Sequence, residues 1–256
     1  MDGIKIGFKI WSENKLLLNK ISNLYSKGTI SFVEIYIVPT IRESEINKIK
    51  KLNLPIIIHA PHTEHGFDIA DESLFEPNLA VFNKIKKVAD DVDAKNIIVH
   101  AGAEGSIETA ENFLKKINDE RVIIENMPKR GLKNENCLGY SKEQIKRLMD
   151  CGCGFCLDFS HACKAAVSLK MDYKMLVKEL LELKPVMFHL SDGSLDNEYD
   201  EHLAFGKGNF DIKFFLDCVK NNKDKFVTLE TFRKNNKSFE EDINNLDYLR
   251  KILTAT

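Results

Sequence analysis

Six cysteines in 256 residues, three of them crowded at Cys151, Cys153 and Cys156, are too sparse and uneven for a secreted disulfide framework. They read as reduced thiols, and the expected compartment is the cytoplasm. Six prolines and 13 glycines exclude collagen-like and low-complexity scaffolds, and 43% hydrophobic residues exclude a disordered chain. No apolar run approaches the roughly 18 residues of a membrane span. The opening MDGIKIGFKIW carries Lys5 and Lys9 inside its apolar stretch, which argues against a signal peptide. Neither charge sign dominates: 37 Lys+Arg face 39 Asp+Glu, a formal net charge of −2. Without a global basic field, contact with nucleic acid would need a local patch or bound cations.

What the sequence does hold is alternation. Short β-branched runs at 4–10, 31–38, 55–60, 96–101, 121–126, 154–158, 185–190 and 226–230 are separated by charged segments. Those at 75–93, 107–118, 141–150, 162–183, 211–221 and 238–253 repeat apolar residues every three or four positions, as amphipathic helices do. Periodicity alone allows either a doubly wound open sheet or a closed barrel. Two features favour an α/β (β/α)8 TIM barrel, a single domain over residues 1–256. No Gly-x-Gly-x-x-Gly follows the first run and no linker divides the chain into halves. His59, His100, Glu125, Asp158, His189 and Glu230 also each end a different run, and in a closed barrel those ends converge on one mouth.

All seven histidines fall at or just beyond such ends: His59, His62, His65, His100, His161, His189 and His202. Glu125, Asp158, Asp200 and Glu230 join them. Imidazole with carboxylate and without thiolate suits Zn, Mn, Fe or Co, and converging carboxylates would repel one another without cations between them. In Asp200-Glu201-His202 an extended backbone would put Asp200 and His202 on one face with Glu201 pointing away. The nine candidates His59, His100, Glu125, Asp158, His161, His189, Asp200, His202 and Glu230 exceed what one ion uses. At three or four protein ligands per ion they imply two or three metals. Three divalent ions would reverse the sign of the formal charge and let the protein attract a phosphate.

The motifs IIIHAPH, NIIVHAG, VIIENMP, FCLDFSHA, MFHLSDGS followed by DEHLAFGKGN, and VTLET resemble, in order and spacing along nearly the whole chain, the endonuclease IV family (AP endonuclease family 2). The resemblance implies three zinc ions, with Mn2+ as an alternative. His59, His100 and Glu125 would hold one. Glu125, Asp158, His189 and Glu230 would hold the second, with Glu125 bridging, and His161, Asp200 and His202 the third. It implies catalytic roles for Glu230, Glu125 and Asp158, and cleavage of DNA 5′ of abasic sites by a metal-bound hydroxide. Abasic DNA is then the partner; a monomer without membrane contact or obligatory protein partner is expected.

The same superfamily contains sugar isomerases and epimerases, for which the resemblance implies a single divalent metal on Glu125, Asp158, His189 and Glu230, with His161 touching substrate. The surplus separates the readings, because His59 with His100 and Asp200 with His202 have no work in a one-metal isomerase. A third class, a metal-stabilised binding protein, would leave no metal position open. The loop after the third run departs from the nuclease pattern: His62-Thr63-Glu64 stands where an aromatic Tyr and an apolar wedge are usual. Lys129, Arg130 and Lys133 in the loop after the fifth run are candidate phosphate contacts. Gly206-Lys207-Gly208-Asn209 is a candidate backbone cradle for a phosphate. Cys151, Cys153 and Cys156 lack a fourth thiol for a metal site, and Phe214 and Phe215 read as packing residues.

Overall fold

The computed structural model describes residues 3–254. Its strands are β1 (Lys5–Trp11), β2 (Phe32–Tyr36), β3 (Ile56–His59), β4 (Ile97–His100), β5 (Val122–Glu125), β6 (Gly154–Asp158), β7 (Met187–Leu190) and β8 (Phe226–Leu229). The helices are α1 (Lys15–Ser26), α2 (Glu43–Ile49), α3 (Phe75–Asp91), α4 (Ile107–Ile117), α5 (Lys142–Met149), α6 (Phe159–Leu169), α7 (Tyr173–Leu181), α8 (Ile212–Asn221) and α9 (Glu240–Thr254). Every strand pairs in parallel with its sequence neighbours, and β8 returns to β1, which closes an eight-stranded barrel. This is the expected (β/α)8 architecture. Among the described residues no helix is long and apolar enough to cross a membrane.

Strand alternation sorts the side chains into two layers. Val33, Ile35, Ile58, Val99, Ile124, Leu157 and Phe188 face outward into the core shared with the helices. Facing inward, Phe32, Ile57, Ile98, Ile123, Cys156 and Met187 form a separate apolar plug. Two residues further along the same strands stand Glu34, His59, His100, Glu125, Asp158 and His189. A period of two therefore stacks a ring of ionisable groups directly on an apolar floor. The floor is tight at β1, where a Cβ on Gly7 would lie 2.3 Å from the Phe32 ring.

Six helices begin on a side-chain cap, among them α6, where the Asp158 carboxylate accepts from the His161 N–H. That cap starts α6 at Phe159, earlier than the 162–183 segment expected. The segment is also two helices, since Lys170 turns left-handed (φ 55°) and Asp172 caps α7. Phe215 packs as expected, stacked on Phe159 at 4.6 Å between ring centres.

Candidate metal centre

The nine expected ligands do converge on the C-terminal mouth. Among the described residues four overlapping groups bring their ligand atoms within 4.8 Å of one another: His59, His100 and Glu125; Glu125, Asp158, His189 and Glu230; His161, Asp200 and His202; and Glu34, His59 and Glu230, the last sharing His59 and Glu230 with the first two. Glu125, which ends β5, is the hub. Its Oε2 lies 3.2 Å from both His59 Nε2 and His100 Nε2, and its Oε1 lies 3.2 Å from both His161 Nδ1 and His189 Nδ1. A carboxylate with one oxygen facing His59 and His100 and the other facing His189 Nδ1 has the geometry of a bridge.

Hydrogen bonds on the far side of the rings fix which nitrogen faces inward. His59 donates from Nδ1 to the Ala60 carbonyl at 2.7 Å, which leaves the Nε2 lone pair for the site. His161 donates from Nδ1 to the Asn126 carbonyl at 2.8 Å, and its Nε2 faces Asp200 Oδ2 at 3.6 Å. His189 donates from Nε2 to Glu34 Oε2 at 2.9 Å, so Nδ1 faces Glu125, Asp158 and Glu230. Asp158 uses Oδ1 for its cap and leaves Oδ2 free.

The donor set fits divalent cations by a second test. His100 Nε2, Glu125 Oε1, Asp158 Oδ2, His189 Nδ1 and His202 Nδ1 are buried yet lack a hydrogen-bond partner. Buried polar atoms are seldom left so. Those of Glu125, Asp158 and His189 face one another and His100 Nε2 faces the other oxygen of Glu125, as lone pairs around cations do, whereas His202 turns Nε2 to Asp200.

Crowding sets the charges of the ion-free site. Burial would raise the Glu125 carboxyl, but His189 and His100 outweigh it and hold it well below the usual range. Burial likewise opposes ionisation of Glu230, and His189 and Lys9 overcome it. Asp158 goes the other way, pushed up to about 6 by burial and by Glu125, Asp200 and Glu230 around it. Burial lowers His100 to about 4, whereas Asp200 overrides burial at His202 and raises it to about 9.

Several participants were not singled out in the sequence. Glu34, fully buried in β2, accepts from His189 and from Thr228 Oγ1 at 2.7 Å. Lys9 of β1 places Nζ 2.7 Å from Glu230 Oε1 and 3.5 Å from Glu34 Oε1. Asn126 ties the ends of β5 and β6 together, accepting from Asp158 N at 2.8 Å and donating to its carbonyl at 2.9 Å. The signal for Glu34 and Lys9 was a lone charge inside an apolar strand run.

Two expectations need correction. The N–H groups of Gly206 and Gly208 both go to Asp192 Oδ2, at 2.8 and 2.9 Å, and that of Asn209 goes to the Gly193 carbonyl. They bind the loop to itself rather than cradle a phosphate. Asp200 and His202 do meet, Nε2 to Oδ2 at 2.6 Å, but not by extended alternation, because His202 is left-handed with φ 47°. His62 and His65 reach the rim without joining a ligand cluster among the described residues. Tyr36 holds them, accepting the His62 N–H at 3.2 Å and donating its hydroxyl to His65 Nδ1 at 2.7 Å. No cluster contains a cysteine: Cys156 lies in the barrel floor, below the site.

Above these groups the mouth opens into a cavity of about 1160 Å³ whose walls include Lys9, Trp11, His100, Leu132, Asp200 and Phe232. Comparison with known proteins gives relatives of more than one activity. An uncharacterised protein of Methanocaldococcus jannaschii, MJ1614, is 25% identical over 231 residues, 82% of each chain. Endonuclease IV from Thermus thermophilus superposes with a TM-score of 0.74 at 23% identity, covering 98% of this chain and all of that one. A D-tagatose 3-epimerase-like protein superposes with a TM-score of 0.76 at 18% identity, covering 98% of both. These structural likenesses establish the fold. A family model described as the xylose isomerase-like TIM barrel matches residues 33–252, and the chain belongs to that family.

Proposed function

We propose that this protein is a zinc-dependent phosphodiester hydrolase that cleaves DNA on the 5′ side of abasic sites, using three divalent ions. The observation that carries the reading is the surplus of ligands around Glu125. A one-metal sugar isomerase would need Glu125, Asp158, His189 and Glu230. It would have no use for His59 and His100 gathered on the other oxygen of Glu125, or for Asp200 and His202 gathered beside His161.

Divalent ions bound there would supply Lewis acidity, water of lowered pKa and charge for the attacking and leaving oxygens of an in-line displacement. The protein's own groups prepare that chemistry. Lys9 and His189 keep Glu230 ionised and turned to the site. The Asp158 carboxyl, raised by burial, caps α6 with Oδ1 and leaves Oδ2 free toward the site.

The rim supports a duplex as substrate. Leu132 is 64% exposed at the tip of a hairpin closed by the Gly131 N–H to Glu135 carbonyl bond and the Arg130 to Asn136 bridge. Around the mouth, Trp11 at the end of β1 and Phe232 just after β8 are 42% and 66% exposed. Both Leu132 and Phe232 have cations beside them in sequence, Arg130 and Lys133 at Leu132 and Lys234 at Phe232, whereas Arg233 is taken up by Asp242. Apolar tips among cations suit contact with unstacked bases between phosphates.

The test is metal content per chain, together with incision of an abasic duplex and epimerisation of ketoses by the zinc-loaded protein. Three ions and chelator-sensitive incision are expected. One ion, or robust epimerisation without incision, would sink the proposal.

A further inference from the structure

Asp200 and His202 sit on an irregular loop, the poorest foundation for a metal site, because ligand atoms must be held within a few tenths of an ångström. The left-handed φ of 47° at His202 adds strain that the surroundings must maintain. Helix α6 provides what maintains it. Ser160, Lys164 and Ser168 stand at spacings of four on one face of α6, and each reaches the loop after β7. Ser160 Oγ donates to Asp200 Oδ1 at 2.6 Å, and Ser168 Oγ donates to Glu198 Oε2 at 2.6 Å.

Lys164 is the centre of this stripe. Its side chain is fully buried, and Nζ donates to Glu201 Oε2 at 2.7 Å, to the Ser194 carbonyl at 2.6 Å and to Asn197 Oδ1 at 3.2 Å. The Ser194 N–H donates to the same Glu201 oxygen at 2.8 Å. Glu201 lies between Asp200 and His202, and turning its carboxylate to Lys164 fixes the backbone from which both neighbours project. Burying a lysine is costly and adds little net stability even when it is paired. The return is positional, since His161 lies on the same helix three residues before Lys164.

We propose that the Lys164–Glu201 ion pair, with the serines on either side of Lys164, is the positioning device that assembles the His161, Asp200 and His202 site. Occupancy of that third site is then separable from that of the other two. This rests on the three-ion reading above, and the wild-type protein reports on that reading separately.

Zinc stoichiometry and stepwise affinity, measured by calorimetric titration of chelator-treated protein, test the device without an activity assay. Wild type binding three ions is the premise, and one or two ions would overturn the three-ion reading itself. Lys164→Met and Glu201→Ala should each keep two tight ions and weaken the third about 10–100-fold, the usual cost of removing support behind a ligand. Glu201→Gln, which keeps an acceptor for Lys164 and Ser194, should restore most of the third affinity. Should Glu201→Ala fail to fold, because it leaves the buried Lys164 ammonium without its counter-charge, Lys164→Met decides by the same criterion, since it removes the buried charge and leaves Glu201 28% exposed to solvent. Wild type with three ions and Glu201→Ala with an unaltered third affinity would overturn the inference alone.

Discussion

Glu34 accepts the Nε2 proton of His189 at 2.9 Å, and that single bond decides which face of the imidazole is offered to the metal centre. Glu34 stands in the same ring of ionisable groups and has its other contacts with Thr228 and Lys9. A carboxylate behind a ligating imidazole fixes the tautomer and raises the basicity of the opposite nitrogen.

Replacement of Glu34 by Gln keeps the volume but weakens the acceptor. Metal affinity at the His189 position should fall by about 10–100-fold while the barrel remains folded. Competition with a chromophoric zinc chelator measures it, and an unchanged affinity would mean that His189 needs no support from β2.

Gly7→Ala tests the barrel floor. The added methyl would meet ring carbons of Phe32 at 2.3–2.6 Å, and Phe32 is itself enclosed, with Phe226 5.7 Å away between ring centres. Overpacking of this kind costs about 1–3 kcal/mol, read as a lower denaturant midpoint at constant slope. Pairing Gly7→Ala with Phe32→Leu should recover part of the loss. Full stability in the single variant would show that the floor has slack.

Acid and base should act unequally on the candidate ion sites. In the ion-free protein His202 is raised to about 9, because Asp200 outweighs burial, so at neutral pH it holds a proton that an incoming ion must displace. The third ion should therefore bind more tightly as pH rises from 7 to 9, with a proton released. His100 is depressed to about 4 and is already neutral, so it imposes no such dependence on its own ion above pH 5. Stability of the ion-free protein follows the same sign. The His202–Asp200 contribution is complete below the unfolded value of about 6.5 and is lost as pH rises through 9. Zinc titrations in buffers of different ionisation enthalpy, at several pH values, count the protons. A third step that is flat from pH 7 to 9 would contradict this.

The barrel and the mouth were legible because one pattern encodes both: β-branched runs make the strands, and the ionisable residue ending each run is carried to the rim by closure. Legibility stopped where the determinant was distant in sequence. Gly206 and Gly208 look like a phosphate cradle until Asp192, 14 and 16 residues earlier, is seen to take both N–H groups. Glu34 and Lys9 point into the barrel, yet a charge in a strand run reads equally well as facing solvent. The break at Lys170 is not legible because it rests on a left-handed backbone at a lysine, and the Asp172 cap is its one signal in the sequence.

The rim gives the prediction that most directly distinguishes a nucleic acid from a sugar. Phe232 donates its backbone N–H to the His202 carbonyl at 2.6 Å, which ties an exposed aromatic ring to the third candidate site. Leu132 stands on the loop after β5, across a barrel in which β8 adjoins β1. A small sugar lying on Glu125 and Glu230 has no need of either tip, whereas a duplex opened at an abasic site exposes base faces that need apolar cover. Stacking on an aromatic side chain is worth about 1–3 kcal/mol per base. Phe232→Ala combined with Leu132→Ala should therefore raise KM for abasic duplex by roughly tenfold or more, since each 1.36 kcal/mol is a factor of ten. Neither side chain is a candidate ligand, so ion content should stay at the wild-type value. Arg130→Ala should instead weaken binding evenly across sequences and reduce its salt dependence, as loss of a phosphate contact does. Steady-state incision at two salt concentrations, with metal analysis of each variant, separates the effects. Unchanged KM in the Phe232 and Leu132 double variant would mean that the apolar tips serve some other surface than DNA.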